Sequence, residues 1–257
     1  MRSSPWVALA LGLVLPAIAA AEGLYLHRIA TSGGDRARLS AGQPVRLRAF
    51  VGAPEALGET LSTVVRAVHA DSVEIELAGY PVLGSSPDRT YREATFLVDF
   101  EEEDVQALRK LLVAQHGDAP PSEALRRFTD EAIPSKSLAR GWDPASRIAS
   151  AGIGDCTEHA VLLAALARSF GRPARVTLGL LLVRIEGEVV ALGHAWTELR
   201  DGDGWLAVDA TPVAEEVDEL AYLPLLVLDE EGPGYALALG RHLQRGWVSR
   251  IEFEPPL

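Results

Sequence analysis

The sequence has little cysteine and, after its first residues, no long apolar run. Cys156 is the single cysteine among 257 residues. One thiol excludes an internal disulfide, and it excludes zinc or iron–sulfur sites that need several thiolates. The histidines show no metal-ligand spacing either, so no metal and no cofactor are expected.

The chain is also short of positive charge. Lysine and arginine number 24 against 36 aspartates and glutamates, which leaves a net charge of −12. An acidic protein lacks the broad cationic surface that phosphate backbones require, so nucleic acid is not an expected partner. With 48% hydrophobic and 23% charged residues, the composition is that of a globular protein with a sizeable core.

The first 21 residues have the order of a secretory signal peptide. A positive residue, Arg2, precedes the apolar run Val7 to Leu15, and an alanine-rich end follows Pro16. An uncleaved anchor or a buried helix is the alternative, but the run is shorter than the roughly 18 to 20 apolar residues that span a bilayer. The pattern predicts cleavage after Ala19 or Ala21. We therefore expect an exported protein, periplasmic or extracellular, with no stable membrane span.

The hydrophobic period changes near residue 100, which predicts a domain border there. Residues 22–100 alternate between apolar and polar side chains, which is typical of a small β-rich region. Glu59 to His69 also fits a short helix. From Glu101 apolar residues recur at helical spacing behind an acidic run, so one helix is expected there and a second after Ser122. Residues 101–257 form the second predicted domain. The strands expected in the first region are residues 24–27, 44–50, 73–77 and 95–100.

The segment around the cysteine predicts a helix that begins at the thiol. Asp155 and Glu158 have the spacing of a capping box, so Asp155 is the expected N-cap and Cys156 the first helical residue. Free backbone amides and the helix dipole favour a thiolate at that position. The alternative is a small buried hydrophobic residue. An unpaired cysteine is unusual in an exported protein, which favours a reactive group.

Two strands after this helix bring a histidine near a carboxylate. With Asp201-Gly202 as a two-residue turn, His194 lies directly opposite Asp209. A turn at the second Asp-Gly pair shifts the register by four residues but keeps both side chains on one sheet face. Cys156, His194 and Asp209 are thus the parts of a Cys-His-Asp triad. His159 is a weaker candidate for the base and is otherwise a helix-packing residue.

Several blocks in this region resemble, in order, the core of the transglutaminase-like superfamily. The resemblance covers Ala145 to Pro212. It implies an α+β, papain-like fold in which the cysteine helix packs on an antiparallel sheet. It also implies acyl chemistry through a thioester, with Cys156, His194 and Asp209 as the catalytic residues. The blocks are Gly154 to Ala160, Ala164 to Arg168, Gly171 to Arg175, Gly193 to Glu198 and Trp205 to Pro212.

The local motif resembles the microbial branch of that superfamily. Asp155-Cys156-Thr157 stands where animal cross-linking transglutaminases have Gln-Cys-Trp. The resemblance implies a hydrolase, a peptidase or amidase; with the signal peptide pattern, we expect a secreted enzyme acting on a protein, a peptide or a cell-wall polymer. The alternatives are a cross-linking protein-glutamine gamma-glutamyltransferase and a binding protein that keeps the fold. Trp196 and Trp205 are expected in the core or in a cleft wall. The Cys156 amide is the expected oxyanion donor, while the second donor, the substrate and the oligomeric state stay open.

Overall fold

A computed structural model describes residues 28–35, 37–39, 44–84, 90–137, 142–202, 204–211, 220–237 and 247–255. The expected signal peptide and the strand expected at residues 24–27 lie outside these ranges. Within them the chain is α+β, as expected, with one large curled sheet and helices packed against it.

Five α-helices lie wholly within the described ranges. The predicted helix starts are confirmed at the acidic run, after Pro121 and at Cys156. A short helix before the cysteine helix was not expected. The helices are α1 (Pro54–Thr60), α2 (Glu103–His116), α3 (Ser122–Ala132), α4 (Ala145–Ala151) and α5 (Cys156–Ser169), with a 3-10 turn at Thr90–Arg92.

The strands of the described residues form a nine-stranded sheet and a separate two-stranded one. The strands are β1 (Arg28–Ser32), β2 (Val45–Phe50), β3 (Val65–Val68), β4 (Ser72–Leu77), β5 (Ser135–Lys136), β6 (Ile153–Gly154), β7 (Ala174–Ile185), β8 (Glu188–Asp201), β9 (Gly204–Val208), β10 (Leu220–Val227) and β11 (Arg250–Phe253). The order in the large sheet is β10-β7-β8-β1-β11-β2-β4-β3, and β9 also pairs with β8, outside this order. The small sheet joins β5 and β6 in parallel.

Long antiparallel strands β7 and β8 form the centre of the fold. A turn at Glu186-Gly187 joins them, since both residues have positive φ and Ile185 pairs with Glu188. Helix α5 packs on one face of this pair, and its apolar residues are buried all round, as in a central core helix. The opposite face, with Leu180 and Leu182, packs against the N-terminal strands.

The sheet does not stop at the predicted border near residue 100. Strand β1 pairs with β8 through Arg28 and Ile29, and its later residues pair with β11 from the C-terminal end of the chain. The strands before residue 100 therefore continue the sheet that carries the candidate site. The change of period separates a strand-rich from a helix-rich stretch of sequence, while the hydrogen bonding between strands crosses it.

Two local expectations for the N-terminal region are corrected. Thr95 to Phe100 is not a strand, because its backbone bonds go to separate partners: the Leu97 amide donates to Glu231, and the Leu97 carbonyl accepts from Ala145. The adjacent residues Leu97 and Val98 are both buried in the core around α5, so the side chains of this stretch do not alternate between two faces. The stretch from Glu59 to His69 contains the end of α1 and then β3.

The expected register of the β8–β9 hairpin is wrong by two residues. Arg200 pairs with Trp205 and Asp201 with Gly204, so the turn begins at Gly202, whose φ of 53° suits glycine. Because side chains alternate with a period of two, this shift leaves each residue on the expected face.

In the described ranges, no helix has the length and apolarity needed to cross a membrane.

Candidate active site

The first turn of α5 places Cys156 at the helix start. The Asp155 carboxylate accepts a hydrogen bond from the Thr157 amide at 2.9 Å, and the Glu158 carboxylate accepts one from the Asp155 amide at 2.9 Å. This is the predicted capping box, and it is confirmed. Gly154 has no room for a side chain, since a Cβ there would lie 2.3 Å from that of Glu158. The half-buried thiol therefore sits at the amino end of a rigid helix.

Two buried contacts hold α5 against the sheet. The Thr197 hydroxyl on β8 donates to the Ala160 carbonyl at 2.8 Å, near the start of the helix. At the other end, Arg168 makes a two-pronged ion pair with Glu231, both bonds being 2.7 Å long. Both side chains are almost fully buried. The cysteine is thereby held relative to β8, the strand that carries His194.

The structure brings the three predicted site residues together. His194 Nε2 lies 2.7 Å from Asp209 Oδ2, and the Cys156 thiol is close enough to interact with the same imidazole. His194 is only 6% exposed. Since Nε2 is bonded to the carboxylate, Nδ1 is the ring nitrogen left for the thiol. The imidazole thus bridges the thiol and the carboxylate.

The electrostatics of the site favour charged forms of His194 and Asp209. Burial opposes the imidazolium, but the charge and hydrogen bond of Asp209, together with those of Cys156, raise the pKa of His194 well above its usual range. Burial also opposes the carboxylate, yet the charge of His194 and three hydrogen bonds lower the pKa of Asp209. The bonds come from His194, the Thr211 amide and the Tyr222 hydroxyl.

Aromatic rings pack around the imidazole. Trp196 lies 6.2 Å from the His194 ring at an angle of 23°, and Tyr222 lies 6.4 Å from it at 30°. Trp196 is fully buried, and its indole N–H donates to Tyr80 at 2.9 Å. Trp205 is also buried, with the Arg175 guanidinium 4.3 Å from its ring centre. Both tryptophans therefore belong to the core, which was one of the two expectations.

A buried ion pair lies behind Trp196. Arg175 and Glu198 are both fully buried and hydrogen-bonded to each other, and Tyr80 donates to the same carboxylate. This network joins β7, β8 and the N-terminal region beneath the candidate site.

His159 has no ring nitrogen free to serve as the base. Nδ1 donates to the Asp155 carbonyl at 2.5 Å, so Nε2 is the acceptor for Lys136 Nζ at 2.8 Å. Burial lowers the pKa of this histidine, which keeps the ring neutral. Asp130 lies 3.9 Å from Nε2 but shares its charge with Lys136. His159 is thus a packing residue of α5, in agreement with the expectation.

Four polar residues around the site were not predicted from the sequence: Tyr222, Tyr80, Lys136 and Arg126. The apolar run from Leu220 to Val227 is a recognisable strand signal, but nothing local shows that Tyr222 contacts Asp209. Across the described residues, no group of three or more His, Cys, Asp or Glu side chains is placed to hold a metal ion.

Residues 112–210 match the family model described as the transglutaminase-like superfamily. This segment of the chain is similar to the transglutaminase-like superfamily. The matched segment starts within α2 and ends just after Asp209, so it includes all three candidate site residues. None of the curated proteins matches the chain.

The solved structures that are similar to this chain include the following three. One is a candidate cysteine protease from Cytophaga hutchinsonii, with 14% identity, 73% of this chain and 77% of that chain covered, and a TM-score of 0.44. Another is the periplasmic domain of TgpA from Pseudomonas aeruginosa, with 15% identity, 71% and 74% covered, and a TM-score of 0.43. The same domain bound to ethylmercury has 21% identity, 56% and 58% covered, and a TM-score of 0.39.

Proposed function

We propose that this protein is a thiol enzyme that acts on amide or peptide bonds through a thioester, as a hydrolase. Cys156 is the nucleophile, His194 the general acid and base, and Asp209 the residue that orients His194. The observation that carries this proposal is the imidazole of His194, whose Nε2 lies 2.7 Å from Asp209 Oδ2 and which also interacts with the Cys156 thiol. A thiol, a base and an orienting acid in contact are the requirements for nucleophilic catalysis.

In the first half-reaction the Cys156 thiolate attacks the carbonyl carbon of the amide, and a C–S bond forms. The carbonyl oxygen becomes an oxyanion, for which the Cys156 amide at the start of α5 is a donor. The intermediate collapses as the C–N bond breaks, and the His194 imidazolium gives its proton to the departing amine. The raised pKa of His194 supports this step, because it keeps a proton on the ring near neutral pH.

In the second half-reaction a water molecule replaces the amine. His194, now neutral, takes a proton from the water as its oxygen attacks the thioester carbon. The C–S bond then breaks, which releases a carboxylic acid and restores the thiolate and imidazolium. An amine in place of water would give a new amide, so the same residues serve a cross-linking reaction. The Asp155-Cys156-Thr157 motif favours the hydrolase.

We also propose that the protein is exported to the periplasm or outside the cell. The order of Arg2, the apolar run and the alanine-rich end supports this. A protein, a peptide or a cell-wall polymer is then the substrate within reach. Residues 101–257 would carry the catalysis and residues 22–100 a β-rich region that extends its sheet.

Acyl-enzyme trapping tests the proposed chemistry. The chain has one cysteine, so an acyl group on sulfur can only be on Cys156. With p-nitrophenyl acetate, we expect a burst of p-nitrophenol and an acetyl group on Cys156, seen by mass spectrometry. Cys156→Ala should show neither, while circular dichroism stays unchanged. Wild-type turnover by this variant would refute the proposal.

The fate of the acyl group separates the hydrolase from the transferase. Adding a primary amine such as glycine ethyl ester gives the thioester two acceptors. We expect acetate as the main product. If the amide predominates, the protein is an acyltransferase instead. If Cys156 is never acylated, the result favours a binding protein that keeps the fold.

A further inference from the structure

Asp209 has more hydrogen-bond donors than a Cys-His-Asp triad requires. Its Oδ2 accepts from the Tyr222 hydroxyl at 2.9 Å and from His194 Nε2 at 2.7 Å. Its Oδ1 accepts from the Thr211 amide at 2.9 Å. Tyr222 therefore shares one carboxylate oxygen with the histidine.

The sheet brings Tyr222 to this place across an intervening strand. Strand β7 lies between β10 and β8, and its Gly179 stands opposite His194. A Cβ at Gly179 would lie 2.1 Å from the Leu223 carbonyl oxygen and 2.8 Å from Cη2 of Trp196. Because Gly179 has no side chain, β10 and the indole ring close over it. The Tyr222 ring then packs 5.0 Å from Trp196 and reaches Asp209.

We propose that Tyr222 is a positioning residue of the triad, whose hydroxyl holds the Asp209 carboxylate ionised and aimed at His194. This inference rests on the proposed function, and it assigns to β10 a part in the site. The hydroxyl must be the donor, since an ionised carboxylate only accepts. Tyr222 keeps its proton because burial and the charge of Asp209 both raise its pKa.

A hydrogen bond to a carboxylate favours the charged form over the neutral acid. Asp209 is deeply buried, and burial alone would drive it towards the neutral acid. A neutral Asp209 would no longer stabilise the His194 imidazolium beside Cys156. The hydroxyl of Tyr222 thus acts on the nucleophile through two intermediate groups.

Other charged groups around Asp209 come from α3 and α5. Arg126 on α3 acts on both Asp209 and Tyr222, and it is paired with Glu123 on its own helix. His159 on α5 also interacts electrostatically with Asp209, but burial lowers the pKa of His159 and keeps its ring neutral. Removing the Tyr222 hydroxyl leaves these groups unchanged.

Tyr80 provides a matched control for a merely structural role. Its hydroxyl is buried to a similar degree, contacts Trp196 and donates to a carboxylate, that of Glu198. Tyr222→Phe and Tyr80→Phe therefore each remove one buried hydroxyl bonded to a carboxylate. Only Tyr222→Phe removes it from Asp209.

The test is a pH titration of the Asp209 carboxyl carbon by 13C NMR. The resonance is assigned by its loss in Asp209→Asn. In Tyr222→Phe we expect the midpoint to rise by about one pH unit, as for the loss of one charge-assisted hydrogen bond. Tyr80→Phe should leave it in place. An unchanged midpoint in Tyr222→Phe, or an equal rise in Tyr80→Phe, would overturn the proposal.

A second variant guards against poor folding of Tyr222→Phe. Placing 3-fluorotyrosine at position 222 makes the hydroxyl a stronger donor with nearly the same shape. We expect the Asp209 midpoint to move down, opposite to the phenylalanine variant, and a purely structural role predicts no such reversal. Neither readout depends on turnover, so the proposal can fail while Cys156→Ala still shows that the thiol is catalytic.

Discussion

His194 and Asp209 meet at 2.7 Å although Asp209 lies beyond the last paired residue of β9, Val208. The carboxylate is therefore not held by the β8–β9 ladder. It is held by the Thr211 amide, the Tyr222 hydroxyl and the imidazole itself. The orienting acid of this site depends on side-chain contacts, whereas the nucleophile depends on a helix cap.

Loss of His194 should abolish most of the activity without unfolding the protein. In His194→Ala no group remains to protonate the leaving amine or to activate water, so turnover of p-nitrophenyl acetate should fall about 10²- to 10⁴-fold. His116→Ala is the matched control, because His116 is exposed at the end of α2. Circular dichroism should be the same for both variants. Equal turnover in the two would contradict the assignment of the base.

The stability of the protein should depend on pH in a direction set by His194. Its folded pKa is raised, so its contribution is fully present below its unfolded pKa of about 6.5 and is lost as the pH rises through the folded value. Asp209 has a lowered pKa, and its contribution is lost as the pH falls through that value. Urea unfolding of wild type and His194→Gln should therefore differ most near pH 6, with the difference shrinking at higher pH. A difference that grows with pH would contradict this.

Gly179→Ala should destabilise the protein and disturb the site. The added methyl group would lie 2.1 Å from the Leu223 carbonyl oxygen, so β10 or Trp196 must move. We expect a loss of about 1–3 kcal/mol in the free energy of unfolding, as for overpacking in a core. Gly79→Ala is the control, since a Cβ there meets nothing within 4 Å. If the two variants unfold at the same denaturant concentration, β10 moves away from the added methyl group without a loss of stability.

The buried ion pair at the end of α5 should contribute far more to the free energy of unfolding than an exposed ion pair does. Arg168→Met leaves Glu231 buried without its cation, which should cost about 3–5 kcal/mol. Arg66→Met removes one of the two arginines paired with Glu76; since the Arg66 side chain is 51% exposed and Arg46 still pairs with Glu76, little or no loss of stability is expected. Urea unfolding at neutral pH measures both. Similar losses would mean that Arg168 does not anchor the helix.

The sequence alone determined the parts of this site that depend on local signals. The capping box of Asp155 and Glu158 predicts where α5 begins, and with it the position of Cys156. The Glu186-Gly187 turn predicts the β7–β8 hairpin. The face shared by His194 and Asp209 could be predicted without the register, because a shift of two residues does not change the face.

Tertiary structure decided the rest, because those features depend on pairings between distant parts of the chain. The turn at Gly202 set a register that two Asp-Gly pairs left open. Pairing of β1 with β8 and β11 joined the N-terminal strands to the central sheet across the change of hydrophobic period. The contact of Tyr222 with Asp209 needs β10 beside β7 and an empty position at Gly179. A run of apolar residues specifies a strand, but which strand it pairs with depends on the packing of the whole sheet.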